Sequence, residues 1–328
     1  MDTRLDSLKQ WLTSLLKVDS VNLSIASGDA SFRRYFRLHL PEKTQIVMDA
    51  PPDKEDSSSF ISIANEFEKI GLNVPHITSS NLQQGFLLLS DLGSTQYLEK
   101  LTDQTVERLY GDALSALMTL QACGPRDNIP AYDRPLLIQE MELFRDWYLK
   151  QHLVVELSDR DNVMLNRIFE VLCSNALAQP RVCVHRDYHS RNLMFTKTHN
   201  PGILDFQDAV LGPVTYDLVS LLRDCYIQWS NDQVEDWVKG FHELSIQSGI
   251  IDKNIEFKDY LKWFDLMGVQ RHLKAIGIFS RLNYRDGKSG YLKDIPRTMQ
   301  YVVQVCNKYD ELNELSTYLN KNVNQLTF

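Results

Sequence analysis

The sequence predicts an α+β chain of two lobes, a small β-rich N-terminal lobe at 1–90 and a larger, mostly helical C-terminal lobe at 91–328. Three observations carry that expectation. Residues 21–90 are strand-like runs interrupted by one amphipathic helical pattern. Beyond Gly93 the apolar residues recur at helical spacing nearly to the end. One short segment, 184–208, breaks that helical part with two apolar strands and polar loops. The change of pattern at 88–93 is the expected hinge.

Taken in order, Leu5, Leu8, Leu12, Leu15 and Leu16 predict a short amphipathic helix rather than a signal peptide, with a membrane-surface helix as the alternative. "VNLSIA", "YFRLHL" and "QIVMDA" follow as strands, the first two joined through "GDAS" and the last two through the "PEKT" turn. Residues 57–70 turn to helical period, with Phe60, Ile63, Ala64, Phe67 and Ile70 on one face and Gly71 as the stop. "HITSS" and "FLLLS" are the last two strands of this part. Then come helices over Thr102–Gln121, with Val106, Leu109, Ala113, Leu117 and Leu120 inward, over Ile138–Leu153 and over Val163–Leu177. From Tyr216 onward the pattern stays helical, broken at "RDGKSG".

The whole-chain properties narrow the function. A chain of 328 residues can bury two sizeable cores. A net charge of −8 argues against a nucleic-acid surface, which needs a basic face. No apolar run approaches the roughly 20 residues of a membrane span. Five scattered cysteines without a CxxC pair suit a reducing cytoplasm and neither a disulfide framework nor a cysteine zinc site.

The densest chemistry lies in "VHRDYHSRNLMF", Val184–Phe195. His185, Asp187 and His189 alternate as zinc ligands could, but no fourth ligand is near; a plain polar loop is a further reading. Phosphoryl transfer uses more of the sequence at once. His185-Arg186-Asp187 with Asn192 has H-R-D-x-x-x-x-N spacing, and Asp205 follows in "GILDFQD". Asp187 would orient an acceptor hydroxyl and take its proton. Asn192 and Asp205 would offer oxygens to Mg²⁺ on the phosphates of ATP.

The segments "VHRDYHSRNLMF" and "GILDFQDAVLGPVTYDLVSLL" resemble the aminoglycoside phosphotransferase and choline kinase superfamily, relatives of the protein kinases. The resemblance implies a bilobal protein-kinase-like fold. Arg186 stands where the superfamily loop usually has Gly, and His189 matches its second histidine. "GFLLLSDLG" resembles the family hinge, whose backbone at Ser90 and Leu92 would meet adenine. Asp217 would brace the catalytic loop, and Asp208 is read as a structural hydrogen-bonding group. "GDASFRRYFRL", "VMDAPPDKED", "FLLLSDLG", "MELFRDWYL" and "RHLKAIGIFSRL" further resemble the anomeric N-acetylmuramate/N-acetylglucosamine kinases of bacterial cell-wall recycling. That family implies ATP-dependent phosphorylation of the C1 hydroxyl of a small-molecule amino sugar, with a sugar-1-phosphate uridylyltransferase next in line.

Besides Arg186, the chain departs from the superfamily on the third strand. Met48-Asp49 falls where most of these kinases carry a phosphate-holding Lys on the third strand. Asp49 should therefore point away from phosphates or toward a cation. The phosphates pass to the hairpin holding Gly28, Ser31, Arg33 and Arg34, although both arginines read equally well as solvated strand charges. For the sugar, Glu140 and Glu142 cannot share a helix face. Arg271 and His272 open an apolar helix, and Arg271 is the candidate for a lactyl carboxylate, with an exposed helix charge as the alternative. Other alcohol-phosphorylating members of the superfamily, or a silent nucleotide-sensing relative, are the rival functions.

Overall fold

The computed structural model describes residues 2–28 and 32–322, which form two compact units. The first comprises the chain up to Ala113 together with Arg191–Asp208; the second comprises Leu114–Ser190 and everything from Ala209 onward.

The first unit begins with α1 (Thr3–Leu16), then β1 (Asn22–Gly28), β2 (Arg34–His39), β3 (Thr44–Asp49), α2 (Ser57–Lys69), β4 (Ile77–Asn81) and β5 (Phe86–Ser90). The strands form one antiparallel sheet in the order β1-β2-β3-β5-β4. Side chains alternate faces along a strand, so Phe36 and Leu38, Val47, and Phe86 and Leu88 share one side. Leu8 and Leu12 of α1 close that side as a buried cluster. The amphipathic N-terminal segment is thus a core helix. On α2, Phe60, Ile63, Ala64 and Phe67 of the expected stripe are buried, Ile70 is half-buried at the cap just past the helix, and Gly71 ends the segment at φ +87°. Gly85 is needed for a different reason. A Cβ there would stand 1.8 Å from the Ala50 carbonyl oxygen.

The β2–β3 register sets Arg34 opposite Asp49. Asp49 is fully buried, and its carboxylate is gripped by Arg34 from β2 and Arg4 from α1. The acidic residue in place of the usual Lys therefore faces two cations.

Four short strands follow, of which β6 (Arg181–Val184) and β9 (Val210–Pro213) pair in the second unit, while β7 (Leu193–Met194) and β8 (Gly202–Ile203) pair in the first. Beyond β8, Phe206 is fully buried, with ring centroids 4.9 Å from Phe60 and 5.7 Å from Phe67. β9 has no counterpart in the expected strands, because its four residues show no apolar alternation.

The helices are α3 (Val106–Cys123), α4 (Arg134–Leu143), α5 (Asp159–Ala178), α6 (Tyr216–Leu222), α7 (Asn231–Gln247), α8 (Phe257–Asp286), α9 (Ile295–Cys306) and α10 (Asn313–Asn322). On α3 all five residues expected inward are fully buried. The helix expected over Ile138–Leu153 starts earlier, behind the Asp133 cap and Pro135, and widens to π-helical turns over Phe144–His152. The widening begins where α8 packs tightly against the chain. A Cβ on Gly277 would lie 2.3 Å from the Leu143 carbonyl carbon. The break at "RDGKSG" falls at Gly287, φ +67°, ending α8. Among the described residues no helix is long and apolar enough to cross a membrane.

Replacing Phe206 with Ala should lower the stability of the first unit by about 3–5 kcal/mol in urea unfolding, as for a buried aromatic truncated between two others.

Candidate active site

β6 delivers the chain into the polar loop at His185, and the loop is held by carboxylates. Asp217, in the first turn of α6, accepts hydrogen bonds from the backbone N–H groups of His185 at 2.6 Å and Arg186 at 3.0 Å. Asp224, just past α6, accepts from Ser190 and Tyr226 N–H, both at 2.9 Å. Asp217 therefore caps the loop rather than its own helix. Arg186 has φ +77°, a left-handed conformation that is uncommon for a residue with a Cβ and costs it ~1–2 kcal/mol. A glycine would meet this turn without that strain.

Asp187 lies in the fixed part of this loop. Burial pushes its carboxyl up, but Lys274, His189, Arg271 and His185 outweigh burial and hold it below the usual aspartate range. It is an ionised acceptor among cations. Asp217 has the opposite fate, because burial dominates its two N–H bonds and the nearby Asp187 charge adds to it, raising it to about 7.

In the first unit, β7 and β8 bring Asn192 and Asp205 together. The Asn192 Nδ2 donates to Asp205 Oδ2 at 3.3 Å, and Leu204 N–H donates to the Asn192 carbonyl at 2.9 Å. Gln207 Nε2 donates to Asp205 at 2.9 Å and Asp208 at 3.3 Å, leaving its buried Oε1 without a hydrogen-bond partner. Asp205 itself has φ +63°. A carboxylate, an adjoining amide that presents oxygen when turned over, and a buried unpaired amide oxygen are hard donors. They suit Mg²⁺, which binds through few protein oxygens and keeps its waters. Among the described residues, no three His, Cys, Asp or Glu groups are placed to hold a metal, as a zinc site at the His185 loop would need.

The other sequence candidates separate. Arg34 is taken up by Asp2 and Asp49. Arg33, mostly buried, pairs with Glu55 at 3.0 Å and lies in the field of Asp208 and Asp205. Gly28 ends β1 opposite Arg34, while Ser31 lies outside the described residues. The Ser90 N–H donates to the His76 carbonyl at 2.9 Å, and Leu92 follows beside Asp91, whose carboxylate holds Arg37 and the Gly93 N–H. Glu140 is buried against Arg186 and Lys274, whereas Glu142 is half-buried and pairs with Arg145 at 3.3 Å.

Arg271 is 5% exposed; its Nη1 donates to the Cys225 sulfur at 3.7 Å and its Nε has no hydrogen-bond partner. His272 is a packed core ring, stacked on Tyr301 and donating to the Arg223 carbonyl at 2.9 Å, with its pKa depressed to about 3 by burial and Arg271. Sequence reasoning missed Lys274. A lone Lys inside "HLKAIGIF" was the available signal, since a charge in an apolar helix needs a partner.

The raised Asp217 sets a testable pH dependence. An unfolded aspartate releases its proton near 3.9, but the folded one keeps it to about 7. The folded state thus binds an extra proton in between. That stabilisation is complete below about pH 4 and lost as pH rises through 7. Wild type should lose thermal midpoint from pH 5 to 8 by this route, and Asp217→Asn should flatten that slope.

Comparison with known proteins places this geometry. Residues 22–249 match the phosphotransferase enzyme family. The N-acetylmuramate/N-acetylglucosamine kinase of Pseudomonas aeruginosa is 43% identical over 97% of this chain and 96% of its own length. The protein of the same name from Neisseria meningitidis is 39% identical over 95% and 94%. In fold, the chain resembles an ADP-bound aminoglycoside phosphotransferase, with a TM-score of 0.60, 17% identity and coverage of 93% of this chain and 99% of that one. It also resembles a choline kinase of Streptococcus pneumoniae, with a TM-score of 0.57, 12% identity and coverage of 92% and 100%. With residues 22–249 matched and near-full-length relatives at 39–43% identity, this chain belongs to the phosphotransferase enzyme family.

Proposed function

We propose that this chain transfers the γ-phosphoryl group of ATP to the C1 hydroxyl of N-acetylmuramate and N-acetylglucosamine. The observation that carries the chemistry is the ionised Asp187 on a loop tied down by Asp217 and Asp224. Near-full-length identity to kinases named for these sugars supports the acceptor.

The acceptor is a hemiacetal hydroxyl, more acidic than a simple alcohol, so the base needs no raised pKa. Asp187 accepts a hydrogen bond from that hydroxyl and receives its proton as the oxygen bonds to the γ-phosphorus. The bond between the γ-phosphorus and the bridging oxygen breaks, and ADP leaves. Asn192 and Asp205 would hold Mg²⁺, which supplies neutralising charge to the phosphates. Arg33, anchored by Glu55, is the cation assigned to the phosphates in place of the usual third-strand Lys. We assign residues 1–90 to nucleotide binding, with the backbone of Ser90 and Leu92 for adenine, and the later helices to the sugar. A sugar 1-phosphate is an activated donor precursor, so a uridylyltransferase is the matching next enzyme. A cytoplasmic setting, where ATP is plentiful, fits the same reading.

Incubation with ATP, Mg²⁺ and each sugar, with kanamycin in parallel, followed by phosphorus NMR, tests this directly. The expected product has its phosphorus coupled to the anomeric proton. Phosphate on kanamycin alone, or no product from either sugar, would sink the assignment. Asp187→Asn should reduce turnover by ~10²–10⁴-fold, as for a lost general base. Arg33→Ala should raise the KM for ATP about tenfold or more, as for one lost charge-assisted bond, while Arg34→Ala leaves it near wild type.

A further inference from the structure

We propose that Glu140 is a positioning residue, which holds Arg186 and Lys274 on its carboxylate and thereby fixes the backbone before Asp187 and the ammonium beside it. The proposal rests on the reading of Asp187 given above and concerns how that residue is kept in place.

Glu140 is 5% exposed, where an unpaired carboxylate would be strongly disfavoured. Both its oxygens are engaged. Oε1 receives Arg186 Nη2 and, at 2.9 Å, Lys274 Nζ. Oε2 receives the Tyr132 hydroxyl and, at 3.4 Å, Gln270 Nε2. Lys274 also donates to the Tyr216 hydroxyl at 3.0 Å, and the Arg186 guanidinium lies over the Tyr132 ring at 5.8 Å. One carboxylate from α4 therefore gathers α8 and the catalytic loop, and a sugar hydroxyl could reach it only by displacing a cation or a hydroxyl.

The link to Asp187 runs by two routes. Along the chain, Arg186 precedes Asp187 and stands in the left-handed conformation at φ +77°. The side-chain tether to Glu140 opposes relaxation of that strained turn. Through space, Lys274 is the strongest of the cations acting on Asp187, ahead of His189, Arg271 and His185, and Asp217 is the nearby carboxyl. Without Glu140, the Lys274 ammonium keeps the Tyr216 hydroxyl and the Asp187 charge but loses its carboxylate anchor.

The test compares Glu140→Gln with wild type in kcat, KM and amide exchange over 184–190. The expected result is a kcat lower by about tenfold to a hundredfold, as for a small displacement of a reacting group. The sugar KM should stay within about twofold, the signature of an interaction that acts on the transition state alone. Exchange of the His185–Asp187 amides should quicken about tenfold while that of α10 is unchanged.

A large rise in sugar KM at unchanged kcat would overturn the proposal by making Glu140 a sugar ligand. Wild-type kcat with unchanged loop exchange would overturn it by making the cluster plain packing. If Glu140→Gln fails to fold, Arg186→Gly carries the test, because glycine suits the turn while the tether is lost. It should lower kcat several-fold and quicken the same amides, and no effect on either would count against the proposal. A wild type inactive on every amino sugar would overturn the proposed function instead; loop exchange in Glu140→Gln would then decide the positioning role alone.

Discussion

The Asp217 carboxylate accepts hydrogen bonds from two consecutive backbone amides, and the loop that begins at His185 depends on that pairing. A buried carboxylate and buried loop amides are each unfavourable alone and satisfy each other when brought together. Asp224 repeats the device at Ser190. The short helix α6 thus works as a strut with a carboxylate near each end, and the loop between His185 and Ser190 hangs from it. Asp187 inherits its placement from this arrangement.

Environment then divides the carboxylates by task. Asp187 is surrounded by Lys274, His189, Arg271 and His185 and stays ionised despite burial. Asp217, bonded to neutral amides and close to the Asp187 charge, is pushed the other way. In the first unit the buried Asp49 pairs with two arginines, one from α1 and one from β2. Removing one partner from such a cluster leaves a stranded buried charge, which is why these groups act together.

Local pattern made much of this legible. The order of strands and helix up to Ser90 follows from apolar alternation and one helical stripe, and the inward residues of α3 follow from period alone. His185, Asp187, Asn192 and Asp205 stand out in the sequence because they fall at the spacing of one known kind of phosphoryl-transfer loop. What stayed hidden depends on distant partners. Nothing in "RPLLIQEMEL" says that Glu140 will meet Lys274 and Gln270, some 130 residues on. Arg33 and Arg34 look alike in sequence, and only the β2–β3 register commits Arg34 to Asp49. The π-helical turns begin just after Leu143, whose backbone lies against Gly277, a distant partner that no local propensity encodes.

The discontinuity of the first unit has a consequence for synthesis. Arg191–Asp208 completes a unit whose other part ends at Ala113, so residues 114–190 must be made in between. At about 5–20 residues per second, this takes several seconds on the ribosome. During that interval Phe60 and Phe67 wait for Phe206, their apolar faces open to water. The sheet can assemble once β5 has emerged, but α2 stays incompletely covered until the middle of the second unit has been made. A nascent chain halted before residue 206 would present that face to a chaperone, whereas the finished chain buries it.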